Sequence, residues 1–237
     1  MKTIGILGGM SAASTQLYYQ QLCNMTRDLL GGLHSPELLI RSVDFAEIEQ
    51  LQMSNDWQAA GDRLNTEARR LEQGGAHLIL IATNTMHKLA NEIMHGLSIP
   101  MIHIADATAK RINQAGLRRP GLMATRFTME ETFYTQRLSD CGIDALTPAH
   151  KDRLSTHEII YSQLCKGIVT DESRQEYIDI ADRLVGSGAD CLILGCTEVG
   201  MLLNERNVNV PVFDTTRIHC EAALEFAMDG YKQLIRE

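Results

Sequence analysis

The chain contains no apolar run approaching the ~20 residues that a helix needs to cross a bilayer, so no helical membrane span is expected. Its six cysteines (Cys23, Cys141, Cys165, Cys191, Cys196, Cys220) include no CxxC pair, and neither a disulfide framework nor a zinc site is indicated. No two histidines have the i, i+4 spacing of a metal-binding helix. Positive charge is scarce: 22 Lys and Arg against 30 Asp and Glu give a formal net charge of −8. That balance excludes the basic footprint of a nucleic-acid or membrane-surface binder, so neither partner is expected. An anionic substrate would need its own basic or amide-rich pocket. Met1-Lys2-Thr3-Ile4-Gly5 enters a short strand and turns at once into Gly8-Gly9, which is not a signal-peptide pattern. The cytoplasm is the expected address.

What remains is an ordinary globular composition, 44% hydrophobic and 22% charged over 237 residues. That is enough core for one large domain or two small ones. Hydrophobic patterning predicts α/β organisation. In the first half, strands are expected at 3–8, 38–43, 77–82 and 99–104. Helices are expected over 14–30, from Phe45, over 56–74, over 85–96, and from Asp106 toward Gly116. In the second half, strands are expected at 121–124, 190–194 and 210–213. Helices are expected over 130–141, 153–166, 171–186, and from Asp214 to the C-terminus.

Two strand exits echo each other. Ile79-Leu80-Ile81-Ala82-Thr83-Asn84-Thr85 and Leu192-Ile193-Leu194-Gly195-Cys196-Thr197-Glu198 are both apolar runs that break into small polar side chains. Such runs read as buried parallel strands, and open α/β sheets bind ligands beyond the carboxyl ends of these strands. Ile4–Ser11 likewise parallels Leu122–Thr128, and Pro100–Thr108 parallels Pro211–Thr216. Matching order at similar spacing predicts duplication of one α/β unit. The result is two pseudo-symmetric lobes, residues 1–104 with 215–237 and residues 105–214, the final helix crossing back to pack on the first.

Cys196 is the sharpest chemical candidate. A thiol at a strand exit just before a helix can have its pKa lowered by the helix N-terminus, and the thiolate can act as base or nucleophile. Cys191, within the same strand, reads as packing. Asn84, Thr85 and Thr197 can hold a carboxylate through amide, hydroxyl and backbone N–H groups, or simply cap helices. Gly8-Gly9-Met10-Ser11 is either an anion cradle or a tight structural turn; it lacks the Lys-Ser/Thr of a P-loop. His87, His103 and His219 lie near strand exits and read as capping or core histidines. Asp106 and Asp214 occupy matched positions where N-capping is expected.

The combination of Gly-Gly-Met-Ser at 8–11, Thr-Asn-Thr-Met-His at 83–87 and Gly-Cys-Thr-Glu at 195–198 resembles the cofactor-independent aspartate/glutamate racemase family. The likeness runs the length of the chain, through His103–Thr108, Ala124–Met129 and Val212–Thr215. The resemblance implies two Rossmann-like lobes with mostly parallel sheets and an active site in the cleft between them. It also implies a homodimer and racemisation without pyridoxal phosphate or metal. Two cysteines would work on opposite faces of the substrate Cα, one taking the α-proton as thiolate and the other returning a proton.

This chain keeps the second-lobe motif and departs at the first, where Thr83 stands in place of cysteine. By resemblance, Cys196 abstracts from the L-enantiomer and Thr83 supplies the opposite-face proton, so L-to-D conversion is expected to run better than D-to-L. The family pattern places the substrate carboxylates at Met10, Ser11, Asn84, Thr85, Thr125 and Thr197, with Glu198 beside them. Lys166 resembles a lysine that meets the distal carboxylate in some aspartate racemases. Gln52 lies near the position of an arginine, and the loss of that charge suits both aspartate and glutamate. A single-cysteine decarboxylase or isomerase of the same superfamily, and an amino-acid-binding sensor, are the alternatives.

Overall fold

Uninterrupted apolar strands flanked by amphipathic helices build two units in the computed structural model, which describes residues 1–229. One unit comprises Met1–His103 and His219–Glu237, the other Ile104–Ile218. The first contains β1 (Ile4–Gly8), α1 (Ala12–Leu30), β2 (Leu38–Ser42), α2 (Phe45–Met53), α3 (Trp57–Gln73) and β3 (Leu78–Ile81). A 3₁₀ turn over Thr85–Leu89 and α4 (Ala90–Met94) follow. The second contains α5 (Ile104–Gln114), β4 (Pro120–Ala124), α6 (Arg126–Glu130), α7 (Thr132–Asp140) and α8 (His150–Ser162). After a 3₁₀ turn at Leu164–Lys166 come α9 (Asp171–Gly186), β5 (Cys191–Gly195), a 3₁₀ turn at Thr197–Met201 and β6 (Val212–Asp214). The last helix, α10 (Thr215–Ala227), belongs to the first unit from His219 onward.

Both sheets are parallel and three-stranded, in the orders β2-β1-β3 and β4-β5-β6. Single bridges extend each by one position, Ile79 to Met101 beside β3 and Gly121 to Leu146 beside β4. The four-position orders then correspond, β1 with β4 and β3 with β5. Each outermost strand of one unit answers to a strand or bridge in the other. β1, β3, β4 and β5 are buried along their whole length, as parallel strands covered on both faces must be. In the first unit one face packs on α2 and α3 through Ile48, Leu64 and Leu71. The other packs on α1 and α10 through Tyr18, Leu22, Cys220 and Ala223. In the second unit Tyr177, Ile180 and Leu184 cover one face, and α5 covers the other through Ile104, Ala105 and Ile112.

Several boundaries differ from the sequence reading, each for a local reason. The strand expected at 99–104 reduces to the bridge at Met101. Its backbone groups are taken elsewhere: Glu72 accepts from Ser98 and Ile99, and His219 donates to the Ile102 carbonyl. Ile104 already opens α5, so Asp106 lies inside the helix and does not cap it; its carboxylate pairs with Arg137 at 3.0 Å. Asp214 does cap, accepting from Thr216 and Arg217 at 2.9 and 3.2 Å. The helices expected over 130–141 and 153–166 break at Glu131 and Gln163, whose backbones leave the helical region. That over 85–96 divides at Leu89 into the 3₁₀ turn and α4. α10 ends at Ala227; the part of its expected course over 230–237 lies outside the described residues.

Candidate active site

In the first unit, the ladder that pairs Leu7 with Ile81 delivers Gly9 and Thr83 to neighbouring strand exits. Glycine is required at position 9, where φ is +92° and a Cβ would fall 2.2 Å from the Val43 carbonyl oxygen. The Gly9 N–H donates to Thr15 Oγ1 at 2.7 Å, and that hydroxyl donates onward to the Ser11 carbonyl at 2.9 Å. This N–H is therefore committed to the turn, which favours the structural reading of the glycines. Ser11 caps α1 by accepting from the Ser14 N–H at 3.2 Å. Ser14 in turn donates to the Ala82 carbonyl at 2.7 Å and ties this turn to the end of β3.

Thr83 is half-buried, while Asn84 and Thr85 are buried. Asn84 makes no side-chain cap bond to the turn that follows, so capping does not account for it. Met10 is buried and packs in the apolar cluster with Leu7, Val43 and Met86. Gln52 is buried, and its amide donates to Met86 Sδ at 3.0 Å. Behind Thr83 stand three buried histidines. His87 Nδ1 bonds the Thr83 carbonyl at 2.8 Å, and its ring lies 4.6 Å from His103 and 5.5 Å from His219, centroid to centroid.

In the second unit Ala124 pairs with Gly195, so Thr125 and Cys196 leave the sheet side by side. Gly195 permits the approach, because a Cβ there would sit 2.8 Å from that of Ala124. Thr125 caps α6, accepting from the Thr128 N–H at 3.5 Å. Cys196 is partly exposed and packs against the cluster around Tyr177. Its thiol donates to Glu198 Oε2 at 3.0 Å, and the Thr197 hydroxyl donates to the same oxygen. Glu198 is 3% exposed.

A second thiol, that of Cys165, approaches the other Glu198 oxygen at 3.9 Å. The sequence reading missed Cys165. That reading singles out the segment for Lys166, the neighbouring residue, which is exposed. The lowered thiol pKa expected for Cys196 is also corrected. Burial first, then the Glu198 carboxylate and Cys165, push the Cys196 thiol well above the usual thiol range. The element after it is a five-residue 3₁₀ turn, not an α-helix whose N-terminus could counter that effect. Cys191 is fully buried, and its thiol donates to Asp190 at 3.2 Å, as a packing residue would.

No group of three or more His, Cys, Asp or Glu is arranged to hold a metal among the described residues. No described helix is long and apolar enough to cross a membrane. Two α/β units, each a parallel three-stranded sheet flanked by helices, carry a thiol-carboxylate pair at one strand exit and a hydroxyl and an amide at its counterpart, a mixed α/β class of fold. The chain belongs to the Asp/Glu/Hydantoin racemase family, whose pattern matches residues 7–223.

Similar proteins include a candidate Asp/Glu racemase from Yersinia pestis, 45% identical, with a TM-score of 0.89 over 96% of this chain and 100% of that one. An aspartate racemase homologue from Pyrococcus horikoshii OT3 is 32% identical, with a TM-score of 0.84 over 96% and 99%. The broad specificity amino-acid racemase RacX of Bacillus subtilis (strain 168) is 25% identical over 90% of this chain and 92% of its own.

Proposed function

We propose that the protein racemises acidic amino acids, L-aspartate and L-glutamate, with Cys196 taking the α-proton and Thr83 supplying one on the opposite face. The observation that carries this reading is the Cys196 thiol held on the buried Glu198 carboxylate at 3.0 Å, in a chain of a racemase family. At rest the thiol keeps its proton, and Glu198 is the acceptor in place to draw it off. The thiolate then takes the Cα proton, leaving a carbanion stabilised by the neighbouring carboxylate. Thr83 gives its hydroxyl proton to the other face and recovers one from water, and Glu198 releases the proton it took to the hydroxide so formed, which restores the resting state. Proton number then balances, with side chains acting on the substrate and water resetting them.

A hydroxyl is a far weaker acid and base than a thiol, so this reading makes the D-to-L direction slow. Equilibrium between the enantiomers is one in an achiral medium, and the asymmetry therefore lies in initial rates. Ser11, the Met10 backbone, Asn84, Thr85, Thr125 and Thr197 are assigned to the substrate carboxylates, and exposed Lys166 to the distal one. Gln52, an amide engaged by Met86, contributes no charge, which suits acceptance of both chain lengths. The residue ranges 1–104 with 215–237 and 105–214 are the two catalytic halves in this reading, and a homodimer is its assembly. A monomer by sedimentation with full turnover would remove the dimer.

The decisive experiment incubates the protein with L-aspartate, and separately L-glutamate, in D₂O. Racemisation gives α-deuterated D-product. Formation of alanine from aspartate would establish decarboxylation instead, and binding without exchange would establish a sensor.

A further inference from the structure

His103 is the last residue before the chain leaves the first unit, and His219 is the first after it returns. Both rings pack on His87, at 4.6 and 5.5 Å between centroids. His87 in turn holds the carbonyl of Thr83 at 2.8 Å. All three histidines are at least 95% buried. A fourth ring, that of Tyr18 on α1, completes the stack: its hydroxyl bonds His219 Nδ1 at 2.8 Å.

The hydrogen bonds settle which nitrogens carry protons. A carbonyl only accepts, so His87 donates from Nδ1 to Thr83, and His219 donates from Nε2 to Ile102 at 2.8 Å. The Nδ1 of neutral His219 then accepts from Tyr18. Burial, and secondarily His87, lower the His219 pKa to about 3, so that ring stays neutral through the physiological range. α1, the 102–103 segment, α10 and the turn after β3 thus meet in one buried set of rings whose output is a hydrogen bond to the backbone of Thr83.

We infer that His87 is a positioning residue for Thr83, its Nδ1–H fixing the strand exit from a ring stack anchored at both points where the chain passes between units. This rests on Thr83 being the opposite-face proton donor proposed above. Thr83 lies beyond β3 (Leu78–Ile81), where no sheet ladder holds its carbonyl. Small misplacements of a reacting group cost large factors in rate, so the bond to His87 takes on the role the ladder no longer fills.

The test uses the fate of the carbanion in D₂O with L-aspartate. Protonation on the Thr83 face gives α-deuterated D-aspartate; return from the Cys196 face gives α-deuterated L-aspartate. The ratio of the two reports the placement of Thr83 and is insensitive to a uniform loss of active protein. Asparagine presents an amide N–H near the place of Nδ1, glutamine one near Nε2, and leucine neither.

His87→Gln and His87→Leu are expected to lower the D-to-L product ratio at least tenfold, and His87→Asn to stay within about threefold of wild type. A wild-type ratio in His87→Gln or His87→Leu, or an Asn variant as impaired as the Leu variant, overturns the positioning role. If His87→Leu does not fold, the Asn and Gln pair decides alone. Absence of any α-exchange in the wild-type protein is a different result, and it refutes the racemase reading itself.

Discussion

The Cys196 thiol and the Glu198 carboxylate are joined by a hydrogen bond of 3.0 Å, and the carboxylate is one of the groups that hold the thiol in its protonated form. The same residue therefore has two opposed effects. As a negative charge it disfavours the thiolate; as a proton acceptor it supplies the route by which the thiolate forms. Glu198→Gln separates them. Removing the charge is expected to lower the Cys196 pKa, read as thiolate absorbance against pH relative to a Cys196→Ser background. Removing the acceptor is expected to reduce kcat with L-aspartate by 10²-fold or more, on the scale of general acid–base effects (~10²–10⁴). A thiol that titrates lower with turnover unchanged would show that Glu198 is only an electrostatic burden. An unchanged thiol titration would deny the contact its effect on Cys196.

Cys196→Ser is expected to abolish turnover of L-aspartate and leave the fold intact, because a serine hydroxyl is not appreciably ionised near neutral pH. Activity within about tenfold of wild type, ~1.4 kcal/mol in barrier, would remove Cys196 from the role of base. Cys191→Ser is the control. That thiol is fully buried in β5, so the substitution should lower the unfolding midpoint more than kcat.

A stability prediction concerns Glu67, whose side chain is 1% exposed and contacts Arg41, Arg63 and Arg70 at 2.5–2.7 Å. Burial on its own would raise this carboxyl's pKa. Hydrogen bonds and charge from Arg41 and Arg63 outweigh that and hold it below the usual range. A depressed folded-state pKa contributes stability above the unfolded-state value, and that stability is lost as pH falls through the folded value. Glu67→Gln should therefore cost about 1–3 kcal/mol near neutral pH, on the scale of charged hydrogen bonds. The gap between variant and wild type should narrow as pH drops below the ordinary carboxylate range. Urea unfolding at pH 7 and at about pH 3 measures both; a gap that widens in acid would reverse the assignment.

The strands were legible because they are continuous apolar runs with abrupt polar ends. β1, β3 and β5 fall within a residue of where hydrophobicity ends at Gly8, Ala82 and Gly195. The presence of two parallel sheets was legible for the same reason, since Thr83 and Cys196 each follow a buried apolar strand. Less visible was what happens after each exit. Asn84 is a helix-capping residue type and Cys196 is expected just before a helix, yet each opens a 3₁₀ turn of five residues without a side-chain cap. The rise of the Cys196 pKa comes first from burial and then from a carboxylate two positions along the chain folding back onto the thiol, and residue order reveals neither. Cys165 and Tyr177 reach the same spot from distant segments, so only tertiary structure unites them. The segment at 99–104 has strand composition, but Glu72 and His219 claim its hydrogen-bonding groups. Propensity gave way there to tertiary contacts.

Thr83→Cys should shift a lopsided enzyme toward a two-way racemase. The half-buried Thr83 follows β3 at the counterpart of Cys196 after β5, and a thiol there would restore a base able to attack the D-enantiomer. The measurement is the initial D-to-L rate with D-aspartate and D-glutamate, for wild type and variant side by side. The gain should be modest, because Asn84 and Thr85 follow position 83 where Thr197 and Glu198 follow Cys196. No carboxylate lies two residues on to receive the new thiol's proton. Wild type already running D to L as fast as L to D would show that Thr83 does not limit the reaction. No gain from Thr83→Cys would show that the threonine does not occupy the place of a second base.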